Sequence, residues 1–219
     1  MAQKLLFGIQ TNGIRHAECD GMPDVDTRFQ MVKDAGVHDY VDKTPATHEI
    51  EEFAAASQKY DLPILAGGWY YTLGNDEALF TENIKLAQQL GSLIHNTQIR
   101  TNHANGSPVT NAEVVRAYLD FQEIGDKYGV TPCFEVHVNM WSEDFRRVGQ
   151  VGREVESYGI EFNITLDHSH VIFKIDNPLE QEIGAIRRDV ENGALVLDPF
   201  NPNNVSQKWI DASWVKHCH

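Results

Sequence analysis

Three observations predict a parallel α/β barrel. Short apolar strands alternate with helices of about 12 to 18 residues along the whole chain, the pattern of βαβ units and a parallel sheet. No Gly-x-Gly-x-x-Gly fingerprint is present, which disfavours an open dinucleotide-binding sheet. The residues that carry chemistry cluster where strands stop, and parallel α/β folds keep their sites there. One domain over residues 1–219 is expected, because no linker or low-complexity stretch divides the chain. An open doubly wound sheet is the competing architecture. A complete eight-unit barrel takes about 250 residues. This chain has 219, so the barrel is expected to be incomplete at the C-terminus, lacking its eighth βα unit.

Each element has its own signal. Lys4 to Gln10 is a short apolar strand. Asp24 to Ala35 reads as a helix, with Val25, Phe29 and Val32 at helical spacing and Gly36 closing it. Val37 to Val41 is the second strand. Thr47 to Tyr60 is the second helix, with Thr47 as its N-cap and Ile50, Phe53 and Ala54 on one face. Leu62 to Ala66 is the third strand and runs into Gly67-Gly68-Trp69-Tyr70-Tyr71. Asp76 to Leu90 is a helix closed by Gly91. Ser92 to Ile99 is a fourth strand, more polar than the others. Asn111 to Tyr128 is a long helix ended by Gly129. Val130 to Val138 is the fifth strand, Ser142 to Tyr158 the helix after it, and Ile160 to Leu166 the sixth strand. Pro178 to Asn192 is expected as one helix before Gly193. Asp198 to Asn204 is turn-rich and is placed just before a terminal strand that begins near Trp214.

The formal net charge of −14 opposes non-specific binding to nucleic acid or an anionic membrane surface. No apolar run approaches the roughly 20 residues of a membrane span, and no signal-peptide architecture opens the chain. Cys19, Cys133 and Cys218 make no disulfide or zinc-ribbon pattern, so a cytoplasmic location is expected. Cys133 reads as packing.

Glu161-Phe-Asn-Ile-Thr-Leu-Asp-His-Ser-His170 is the most informative stretch. A buried strand ends in Asp167, and one carboxylate and two imidazoles emerge within four residues, a donor set suited to a divalent metal. Asp167 reads alternatively as a helix N-cap. His170, three residues on, shares its face if a helix starts there, while His168 points elsewhere. Pro132-Cys-Phe-Glu-Val-His137 repeats the design, with Glu135 and His137 on one strand face. A carboxylate in an apolar strand needs a cation or donors. His217 and His219 share a face of the terminal strand, and either can complete a metal site. His103, His137 and Arg100 lie where they can line a substrate pocket. Trp69, with Tyr70 and Tyr71, and Trp141 follow strands and read as sugar platforms or as core.

In order, these elements resemble the xylose isomerase-like TIM barrels: a strand ending in Glu135, a strand ending in Asp167-His-Ser-His170, then a strand carrying His217 and His219. That superfamily holds sugar isomerases and epimerases, inosose dehydratases and apurinic endonucleases. The resemblance implies a (β/α)8 barrel and a site for manganese, cobalt or magnesium, with zinc as a further candidate. It implies Glu135 and Asp167 as ligands, Glu135 also as the acid–base residue, and His170 as a catalytic residue at the substrate or a ligand of a second metal. His219, before His217, would be the third ligand. The implied reaction is metal-dependent isomerisation or epimerisation of a sugar or polyol through a metal-stabilised enediolate, in a family that often forms dimers or tetramers. The family's fourth ligand, a Glu on the eighth strand, has no counterpart here. Three alternatives stay open: a keto-polyol dehydratase or lyase, an apurinic-endonuclease-like phosphodiesterase, which the acidic charge opposes, and a non-catalytic truncated barrel.

Overall fold

The computed structural model describes residues 5–15 and 21–219. Lys4, assigned to the first strand, and Cys19 lie outside the described residues. Seven strands form one sheet in sequential order, every neighbouring pair parallel: β1 (Gly8–Gln10), β2 (Tyr40–Asp42), β3 (Ile64–Tyr71), β4 (Ile94–Ile99), β5 (Thr131–Val136), β6 (Ile164–Leu166) and β7 (Val215–Cys218). In a flat sheet β2 and β7, five strands apart, would lie about 24 Å from each other at the usual spacing of about 4.8 Å. Instead Asp42 on β2 meets His219, just beyond β7, at 2.9 Å. The sheet therefore curls into a barrel, and side chains from opposite walls meet inside it.

The helices pack outside. They are α1 (Val25–Ala35), α2 (Ile50–Tyr60), α3 (Glu77–Leu90), α4 (Asn111–Tyr128), α5 (Phe145–Ser157) and four short ones, α6 (His168–Ile172), α7 (Pro178–Ile183), α8 (Arg187–Glu191) and α9 (Val205–Asp211). Asp24 caps α1 by accepting from the Thr27 N–H, and Gly36, Gly91 and Gly129 end their helices with a left-handed backbone. Outward-facing strand residues meet apolar helix faces. Val41 and Ile64 pack with Phe29, Phe53 and Tyr60. A larger cluster runs from Tyr71, Phe80 and Phe121 through Phe134 and Phe162 to Trp209 and Trp214. No helix among the described residues is long and apolar enough to cross a membrane.

The departures from the sequence reading concentrate in two places. Thr47 does not cap α2. It opens a 3-10 turn, Thr47–Glu49, in which the Glu49 carboxylate accepts from the Ala46 N–H. The helix expected over residues 178–192 is broken at Gly184-Ala185-Ile186, where Ala185 takes a left-handed φ of 56°. After the turn-rich loop, α9 intervenes before β7. It has only seven residues, with Val205 and Trp209 buried one turn apart, and Asn204 caps it.

Candidate metal centre

Side-chain alternation on β5 builds the first part of the site. Phe134 and Val136 point out into the helix core, and Glu135 points into the barrel, 1% exposed. Two amides on β4 hold one of its oxygens: Asn96 Nδ2 donates to Oε2 at 2.7 Å, and Gln98 Nε2 donates to the same atom. Oε1 faces the other way, 3.3 Å from His219 Nδ1. Gly68 on β3 makes room for this clamp, because a Cβ there would come within 2.8 Å of Asn96.

Asp167 stands at the end of β6. Its Oδ1 accepts from the Ser169 N–H at 3.0 Å and the Ser169 hydroxyl at 2.6 Å, so it caps α6. Its Oδ2 lies 3.2 Å from His170 Nε2. Burial opposes the charge on Asp167, but the bonds from His170 and Ser169 outweigh it and hold the carboxyl well below the usual range. His170 packs against His137, ring centroids 4.0 Å apart. His137 Nδ1 donates to the Val138 carbonyl at 2.6 Å.

His217 and His219 both point inward. His219 Nε2 lies 2.9 Å from Asp42 Oδ2, so this imidazole bridges Asp42 and Glu135. Burial works against its charge. The hydrogen bonds and charges of Asp42 and Glu135 outweigh burial and push it up to about 10. His217 Nε2 lies 3.2 Å from the Tyr40 hydroxyl and 3.9 Å from Asp42, and burial moves its pKa down.

Glu135, Asp167 and His219 each present a ligand atom, all within 4.8 Å of one another, and so do Asp42, His217 and His219. Two carboxylates and an imidazole are a donor set for zinc, manganese or cobalt. Among the described residues, the ion-pair partners of Glu135, Asp42 and Asp167 are histidines, with no lysine or arginine among them. Among the described residues the positive partners of this acidic cluster are imidazoles, and the donor set fits a divalent cation.

The surroundings sort the remaining candidates. Trp69 and Tyr70 stack at 5.1 Å and are 39% and 41% exposed, and Arg100 lies 4.3 Å over the Tyr70 ring. A cavity of about 170 Å³ runs from Trp69 and Tyr70 past Gly68 to Asp42, Asn96 and Gln98. Tyr71 turns outward instead, bonded to the buried His95. Trp141 is 1% exposed and packs on Phe134, so of its two readings the structure has core. His103 lines a separate opening with Arg100, its Nδ1 donating to the Leu73 carbonyl and its Nε2 facing Glu113. Asp42, Asn96, Gln98 and Tyr40 were missed from sequence. Asp42 follows Tyr-Val as Asp167 follows Thr-Leu, a signal that was available.

No protein-family model matches the chain, and no curated protein matches it in sequence. Solved structures do match in fold. The 3-keto-D-glucoside 4-epimerase of E. coli is 13% identical, with 99% of this chain and 78% of that one covered and a TM-score of 0.63. The probable 3-DHS dehydratase of Bacillus anthracis is 12% identical, with 98% and 91% covered and a TM-score of 0.60. An IolI protein with a bound zinc atom is 14% identical, with 76% and 64% covered and a TM-score of 0.53. The chain therefore shares the TIM-barrel fold of these structures, with seven parallel strands among its described residues.

Proposed function

We propose that this chain binds a divalent metal through Glu135, Asp167 and His219 and isomerises or epimerises a sugar or polyol by proton transfer beside a carbonyl. One observation carries the reading: two carboxylates and an imidazole from β5 and the ends of β6 and β7 converge inside the barrel. The ion, manganese, cobalt, magnesium or zinc, would supply Lewis acidity toward a substrate carbonyl.

The chain's own residues do the rest. Asn96 and Gln98 fix Glu135 Oε2, which leaves Oε1, 3.3 Å from His219 Nδ1, as the atom that takes the proton; returning it to the neighbouring carbon on the same face isomerises the substrate, and returning it to the opposite face would need a second acid. His170 and His137, side by side at the mouth, donate to or accept from substrate hydroxyls. Trp69 and Tyr70 offer an apolar face to a sugar ring, with Arg100 behind Tyr70. His103 and Trp141 are not assigned to the first substrate contacts in this reading.

The test is solvent exchange. The manganese-loaded protein is incubated in D2O with a panel of ketoses, aldoses and keto-polyols, and proton loss beside the carbonyl is followed by NMR. Exchange that disappears in Glu135→Gln supports the reading, and no exchange with any substrate overturns it. A keto-polyol dehydratase is a second reading, favoured by the coverage of 91% of the dehydratase chain. It predicts net loss of water in the same tubes.

A further inference from the structure

Asp42 is a buried carboxylate with no place in the ligand set proposed above. A desolvated carboxylate needs donors. The nearest one is His219 Nε2 at 2.9 Å, with His217 Nε2 next at 3.9 Å. A carboxylate only accepts, so Nε2 carries the proton of this bond. Nδ1 faces a second carboxylate, Glu135, at 3.3 Å, so in the metal-free chain it carries a proton too; a metal that displaced that proton would find the lone pair on Nδ1 while Nε2–H stays on Asp42.

The contact is a matched pair of strands. Tyr40 and Asp42 lie two residues apart on β2, and so share a face. His217 and His219 repeat that spacing at β7. Tyr40 holds His217 through its hydroxyl, and Asp42 holds His219. The two imidazoles pack edge to face at 4.8 Å, which limits rotation of either ring. On β1, a Cβ at Gly8 would fall 2.2 Å from the Tyr40 ring, so the neighbouring strand carries no side chain where Tyr40 sits.

We infer that Asp42 is the positioning residue of His219, fixing its Nε2–H tautomer and turning Nδ1 toward Glu135 and Asp167 as a ligand atom. The inference rests on the metal-binding reading above. Carboxylates that accept from the far nitrogen of a ligating histidine commonly act this way.

The test is manganese titration calorimetry on the full chain, with NMR of the His219 ring nitrogens in protein loaded with diamagnetic zinc. Asp42→Ala is expected to weaken manganese binding about 10- to 100-fold at unchanged stoichiometry, and to lose the single Nε2–H tautomer. Asp42→Asn fills the same volume and keeps an acceptor oxygen, so it should recover part of the affinity. It also serves if the alanine variant does not fold, because a tautomer and affinity identical to wild type in Asp42→Asn and in Asp42→Leu would then overturn the inference. Wild-type affinity in Asp42→Ala overturns it directly. A fall from two bound ions to one would overturn it differently, by making Asp42, with His217 and His219, the ligand set of an ion of its own. No manganese on the wild-type chain would instead defeat the metal reading beneath it.

Discussion

Asp167→Asn separates two roles that one carboxylate performs. In the wild-type chain Oδ1 caps α6 through Ser169, and Oδ2 faces His170 at 3.2 Å. Asparagine is as good an N-cap as aspartate, so the cap should survive. The Oδ2 contact with His170 is lost, worth about 1 kcal/mol as a single hydrogen bond. Folding stability should therefore fall by no more than about 1 kcal/mol, while Asp167→Ala, which also removes the cap, should lose about 1 kcal/mol more. Metal affinity should behave differently. Losing an anionic ligand should weaken manganese binding at least about tenfold, or about 1.4 kcal/mol, in both variants. Titration calorimetry reads the second quantity and thermal unfolding of the metal-free protein reads the first. The sign with pH follows from a depressed carboxyl. Its stabilisation is present above the unfolded pKa of about 3.9 and is lost as pH falls through the lower folded value. The stability gap between wild type and Asp167→Asn should thus persist at neutral pH and close only in strong acid. Wild-type manganese affinity in Asp167→Asn would show that Asp167 is a cap and nothing more.

Three further outcomes are expected. His219 has its pKa raised to about 10, so in metal-free protein its contribution is complete below the unfolded value of about 6.5 and fades as pH rises through about 10. Thermal unfolding of wild type should show that alkaline loss, and His219→Ala should lack it. Asn96→Ala removes one of two amide donors from the buried Glu135 Oε2 and should cost about 1–3 kcal/mol in denaturant unfolding, with a cost near zero speaking against the clamp. Trp69→Ala should raise KM more than it lowers kcat for any substrate found, because the ring is exposed at the mouth; a collapse in thermal stability would place it in the packing instead.

Much of the barrel was legible because its first five βα units, the start of α2 excepted, obey simple local rules. Apolar runs end in helices whose caps are written in single residues, such as Asp24 before α1 and Gly129 after α4. The last third broke those rules. A left-handed Ala185 splits one helix pattern into two, and α9 is too short to show a helical period. Within the candidate site, Glu135 and Asp167 stand out in the sequence because one lies inside and the other follows an apolar strand, and His219 because it lies two residues from His217. Asp42 could not be tied to them, since its partner lies 177 residues away and only closure of the sheet brings the two together. Asn96 and Gln98 made the fourth strand look polar, but the reason is visible only once their amides meet Glu135 across the strand gap. Trp141 shows the converse limit: following a strand says nothing about which way a ring turns, and this one turns into the core.

The most direct test of the metal centre is the metal content of the purified chain after manganese loading and desalting, read by elemental analysis. About one tightly held equivalent per chain is expected, lost in the Asp167→Asn, His219→Ala double variant. A wild-type chain that retains no manganese, zinc or cobalt would contradict the metal centre.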